Sequence, residues 1–153
     1  MRTITRMILT IGSAFALLAA TALSVSADDE DYIKYRQSVM SANGGHISAA
    51  VAIIKGKVPY KEDLVAHATG MNENAMTVMN AFKQKTSGGD TRAKPEIWEN
   101  WADFEQKVKD LQAATADFLA AAKSGGPEAA GAKLGPVGDA CKGCHEKYRE
   151  KKS

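Results

Sequence analysis

Cys141-Lys142-Gly143-Cys144-His145 places two thiols and an imidazole within one short stretch near the end of a 153-residue chain. Cys-x-x-Cys-His is the attachment signature of a covalent c-type haem. The two thiols add to the haem vinyl groups as thioethers, and the adjacent imidazole reaches the iron as its proximal axial ligand. A helix suits this spacing, because positions three and four apart share one face. The candidate cofactor-binding residues are therefore Cys141 and Cys144, the candidate metal ligand is His145, and the cofactor is one haem c with its iron.

Other chemistries fit these residues less well. The chain has only 2 cysteines, so a disulfide would close a very tight loop. A thioredoxin-like redox pair expects a βαβ setting, and no strand-like alternation is evident. A structural zinc site wants four ligands, and the motif supplies three unless His46 or His67 joins.

The N-terminus points to export. Arg2 and Arg6 form a basic leader, Met7 to Leu23 is apolar, and Val25-Ser26-Ala27 is a small-residue cleavage site. This reads as a signal peptide over residues 1–27; the apolar run is short for a membrane span of about 20 residues. Residues 28–153 then form one domain, with no stable membrane insertion after cleavage. Covalent haem assembly and export together imply the periplasm of a Gram-negative bacterium. Cleavage removes two of the 20 basic residues and leaves 18 against 18 acidic ones. That balance gives no footprint for nucleic acid. Charge is uneven all the same: Asp28 to Asp31 open the domain, and Lys142, Lys147, Arg149, Lys151 and Lys152 surround the haem motif. The basic end complements a helix C-terminus and could equally dock acidic redox partner proteins.

The elements that position the motif are helical. The spacing predicts helices over 31–55, 61–84, 95–123 and 127–151. Gly56 to Tyr60, the polar loop 85–94 and Ser124-Gly125-Gly126-Pro127 separate them. Gly135-Pro136-Val137-Gly138 predicts a kink in the last. In the first helix Ile33, Met40, Ile47, Val51 and Ile54 form a buried stripe, widened by Tyr32, Tyr35 and Val39. Trp98, Trp101, Phe104, Val108, Leu111, Ala114 and Phe118 do the same in the third. Cys141, Cys144, His145 and Tyr148 share the inward face of the fourth. Four amphipathic helices with short turns argue for an all-α, antiparallel four-helix bundle, with haem between helices near one end. Met71, Met76 and Met79 of the second helix read as core, and His67 as solvated.

Several stretches carry a family resemblance. Lys34-Tyr35-Arg36-Gln37-Ser38, Lys55-Gly56-Lys57-Val58-Pro59-Tyr60, Gly89-Asp90 through Pro95-Glu96-Ile97-Trp98, and Cys141 to Arg149 resemble the class II c-type cytochromes over residues 31–152. These include cytochrome c′ and its low-spin relatives. The resemblance implies a four-helix bundle, covalent haem and a His iron ligand. It implies that Arg36 and Gln37 meet the haem propionates, that Arg149 lies near the proximal ring, and that Tyr148 packs on the haem. A second copy of the chain is a partner the resemblance admits.

Two functions diverge at one position of the first helix. Cytochrome c′ typically has an apolar, non-ligating residue there and binds NO or CO at a five-coordinate iron. Low-spin relatives have a methionine that ligates the iron. The matching residue is Met40, and Met40-Ser41-Ala42-Asn43-Gly44 resembles the low-spin subgroup. A thioether suits haem iron. The expectation is therefore a periplasmic electron carrier, not an enzyme, with six-coordinate low-spin haem held by His145 and Met40. The alternative is a five-coordinate cytochrome c′ with a gas-sensing or NO-protective role.

Overall fold

In a computed structural model, residues 27–86 and 88–151 are described. The expected leader, residues 1–27, lies outside them apart from Ala27. The elements are α1 (Ala27–Ile54), a 3-10 turn (Lys61–Asp63), α2 (Leu64–Lys83), α3 (Glu96–Glu99) and α4 (Trp101–Tyr148). Four long segments make the bundle: α1, α2 and the two arms of α4. α2 packs against both α1 and α4. Among the described residues no helix is long and apolar enough to cross a membrane.

Glycines set two of the turns. α1 ends in a Schellman pairing: the Lys57 N–H donates to the Ala52 carbonyl and the Gly56 N–H to that of Ile53, both at 2.9 Å. Gly56 supplies the left-handed residue this motif needs, at φ +63°. Within α4, Gly126 (φ 59°, ψ −148°) adopts backbone essentially reserved for glycine, and Gly125 is also non-helical. The two divide α4 into arms over 101–124 and 127–148. Pro127 opens the second arm, where its missing N–H costs nothing.

Two expected features differ. The helix expected over 95–123 is interrupted at Asn100 (φ −123°, ψ 47°), which separates α3 from α4. The kink expected at Gly135 to Gly138 is absent, since Gly125 and Gly126 are the non-helical residues of α4. Pro136 removes one helical hydrogen bond to Ala132, but both residues are exposed, so the freed carbonyl is left to solvent.

α1 buries Ile33, Arg36 and Val39 three apart, then Ala50 and Ile53. Tyr32 and Tyr35 do not widen that face; they are 42% and 49% exposed. Arg36 fixes the helix rotation instead. Its Nε donates to the Ala81 carbonyl (3.1 Å), one terminal nitrogen to Thr86 Oγ1 (3.1 Å) and the other to the Gln84 carbonyl (3.2 Å). It thus caps the C-terminus of α2 while its guanidinium lies over the Phe82 and Trp98 rings.

The apolar interior forms two clusters. One gathers Ile53, Leu64, Met71, Phe118 and Val137, the other Val39, Val78, Phe82, Phe104, Val108 and Tyr148. Phe104 and Phe118 are fully buried; each contributes about 2–3 kcal/mol by leaving water. Met71 is core, whereas Met76, expected there, is 59% exposed.

Candidate haem site

Between the two clusters lies a cavity of 640 Å³, lined by members of both. This falls within the range of about 300–1,000 Å³ common for cofactor pockets. α4 supplies Cys141, Cys144, His145 and Tyr148, whose spacing brings all four to one face. α1 supplies Met40, Asn43, Gly44 and Ile47 at the same spacing, and α2 supplies Met71, Val78 and Phe82. The sequence-predicted attachment residues therefore meet Met40 around one space.

The α4 end is held by a network. The Tyr148 hydroxyl donates to Asp103 Oδ2 at 2.5 Å, and Lys147 Nζ reaches the same oxygen at 2.9 Å. The Tyr148 ring meets Phe104 edge-on, with centroids 5.4 Å apart. The loop before α3 straps across the helix end: the Lys94 N–H donates to the Tyr148 carbonyl (3.1 Å) and the Glu150 N–H to that of Arg92 (2.8 Å). This strap carries Asp90, Thr91 and Arg92 to the cavity edge, beside Arg149.

Electrostatics suit a covalent, iron-bound cofactor. Burial lowers the pKa of His145, with help from Arg149 and Arg92. A neutral imidazole keeps the lone pair that a metal needs. Burial raises Cys141 and pushes Cys144 up to about 11. Neither thiol is the acidic, reactive thiolate of a redox pair. Asn43 Oδ1 is buried with no hydrogen-bond partner, and Asn43 lines the cavity. An unsatisfied polar atom in an apolar space marks a place completed by a ligand. The residues fit covalent haem c.

The remaining sequence-predicted residues sort by geometry. Gln37 and Arg36 both line the cavity, but Gln37 Nε2 donates to the Asp90 carbonyl at 2.6 Å, and the three nitrogens of Arg36 are engaged at the end of α2. Both thus tie α1 to α2 and the strap, a role their resemblance to propionate ligands does not suggest. Arg149 lines the cavity from the C-cap of α4. Sequence reasoning passes over Arg92 and reads Asn43 only as part of the stretch after Met40; the i, i+3 spacing of the two is the signal that brings Asn43 to the cavity. His67, expected to be solvated, is half-buried against His46, and neither lines the cavity. Trp98 is a core anchor whose Nε1 donates to the Phe82 carbonyl at 2.8 Å.

Comparison with known proteins places these observations. A protein-family model described as Cytochrome C' matches residues 31–149. Cytochrome c′ of Alcaligenes xylosoxydans xylosoxydans is 36% identical over 127 residues, covering 82% of this chain and 98% of the relative. Cytochrome c′ of Rhodospirillum rubrum is 32% identical over 140 residues, covering 91% and 95%. Among solved structures, a ferrous variant of the Alcaligenes xylosoxidans protein with bound NO superposes with TM-score 0.73 at 34% identity, over 81% of this chain and 97% of that one. A carbon monoxide-bound variant of the same protein gives TM-score 0.74 at 35% identity, over 82% and 98%.

These findings overturn the expectation of a six-coordinate, low-spin electron carrier. The two relatives named above are cytochromes c′, and variants of the Alcaligenes xylosoxidans protein are solved with NO and with CO bound. The physical reason lies in Met40. A methionine on an apolar helical stripe packs as readily as it ligates, and Met40 packs against the cluster around Val39, Val78 and Phe82.

Proposed function

The chain belongs to the cytochrome c′ family, and from that premise we propose that it is an exported haem c protein that binds NO and CO. The observation that carries this reading is the pair of gas complexes among structures that match four-fifths of the chain at 34% and 35% identity. When bound, the haem supplies an iron with one axial position open to a diatomic gas.

The chain's own residues prepare that position. Cys141 and Cys144 would hold the haem through two thioethers, formed by adding each thiol to a vinyl group. His145, kept neutral by burial and by Arg149 and Arg92, offers the proximal nitrogen. Met40, Ile47, Met71 and Val78 give the cavity an apolar wall. Such a wall excludes water and anions, which lose hydration on entry, and admits a neutral diatomic at little cost. Asn43 adds a buried polar group to that wall. Met40 packs against the cluster around Val39, Val78 and Phe82, and in this reading it would not be an iron ligand.

The reading includes no substrate turnover. Periplasmic residence is supported by the leader motif and the covalent haem signature. An electron-donating protein of that compartment would keep the iron ferrous, and the lysines around Cys141 to His145 form the surface offered to it. Titrating the reduced holoprotein with CO and then NO tests the proposal. Saturable one-to-one changes in the Soret band are expected; a spectrum unmoved by either gas would sink it.

A further inference from the structure

Asn43 lines the haem cavity from α1, three residues after Met40 and so on the same helical face, about 4.5 Å further along the axis. α1 and α4 line that space from two sides, with α2 packed against both. Asn43 therefore belongs to the wall across from His145, where a gas on the iron would lie.

The protein supplies this amide with no acceptor-side partner. Asn43 Oδ1 is buried and takes no hydrogen bond. Its apolar companions on the wall, Met40, Ile47, Met71 and Val78, have none to give. The polar residues of α1 nearby are committed or exposed: Arg36 makes three bonds at the end of α2, Gln37 donates to the Asp90 carbonyl, and Ser41 faces solvent. Asparagine is a poor helix former. Inside a helix it ordinarily recovers that cost by a local hydrogen bond or by facing water; here it lines a pocket instead. With Oδ1 unbound, the amide can turn about its last torsion and present an Nδ2–H donor to the cavity.

We propose that Asn43 donates a hydrogen bond to a diatomic gas held at the open axial position, and so selects for gases whose outer atom carries negative charge. Hydrogen-bond donors on the distal side of a haem decide which ligands it holds. NO on ferrous iron is bent and more negative at its oxygen than linear CO, so the donor favours NO. The inference rests on the gas-binding reading of the site.

The test records infrared spectra of the reduced holoprotein under CO, in light and in heavy water. A donor that touches the gas lowers the C–O stretch and makes it respond to deuterium. Asn43→Leu keeps the volume but removes the donor; the stretch should move to higher wavenumber and the deuterium response should vanish. Asn43→Gln keeps an amide and should retain part of both. The ratio of NO to CO affinity should fall about fivefold in Asn43→Leu, the worth of one neutral hydrogen bond. Circular dichroism and the Soret band check that each variant is folded, and Asn43→Ala replaces the leucine variant if that one is not. CO binding with the same stretch in the unmodified chain and in Asn43→Leu, insensitive to deuterium in both, would overturn this proposal alone. Absence of any gas binding by the unmodified chain would overturn the gas-binding reading and this proposal with it.

Discussion

The cavity has two kinds of wall. The α4 wall carries Cys141, Cys144 and His145 within little more than one turn of helix, and the chemistry proposed for it is covalent. The wall from α1 and α2 is assembled from Met40, Asn43, Ile47, Met71 and Val78, and its chemistry is packing. The first decides that a haem is present. The second decides what the iron does. A short motif suffices for the former because bond formation demands fixed atom types at fixed spacing. The latter depends on whether one thioether reaches the metal, and a methionine side chain fits both answers.

Substitutions in the two walls should therefore fail differently. The largest effect is expected from Cys141→Ala with Cys144→Ala, which removes both thioethers; haem staining after denaturing electrophoresis should vanish entirely. Retention of covalent haem would break the comparison at its root. Phe104→Ala acts beneath the site, against Phe82, Trp101 and Tyr148. Emptying that fully buried position should cost about 4 kcal/mol in denaturant unfolding, with covalent haem retained. Arg36→Leu should cost about 3 kcal/mol, because it strands the Ala81 and Gln84 carbonyls. Its covalent haem should also persist, since its donors serve α2.

The smallest effect concerns pH. The Tyr148 hydrogen bond and Lys147 hold the Asp103 carboxyl below its usual 3.8. A carboxyl lowered on folding stabilises the native state above the unfolded value, and the contribution is lost as pH falls through the native one. Lys147 is raised above 10.5, chiefly by its hydrogen bond to Asp103, so its share is present below that value and lost as pH rises through the native pKa. Asp103→Asn should flatten the stability profile slightly at both ends in melts across pH. A profile as steep as that of the unsubstituted chain would detach this network from the end of α4.

Legibility in the sequence follows the same division. Helical periodicity located the long segments, and Gly56, Gly126 and Pro127 marked turns whose backbone only such residues adopt. Tyr32 and Tyr35 were misplaced because an apolar stripe ignores what a buried cation can do. Arg36 turns α1 so that its guanidinium caps α2, and no pattern of hydrophobic residues records that long-range partner. Asn100 interrupts a helix through backbone angles, not composition. Pro136 fails to bend α4 because its freed carbonyl faces solvent. The haem c cofactor was legible from Cys141 to His145. The pairing of His46 with His67 was not, since it needs two helices and the missing side chain of Gly70.

The open iron position is the central claim, and the resonance spectrum of the ferric holoprotein at low temperature tests it most directly, recorded beside that of Met40→Ala. A high-spin signal in both proteins, with the same axial ligand field, is the predicted result. A low-spin signal that turns high-spin only when Met40 is replaced would place the thioether on the iron and contradict the account.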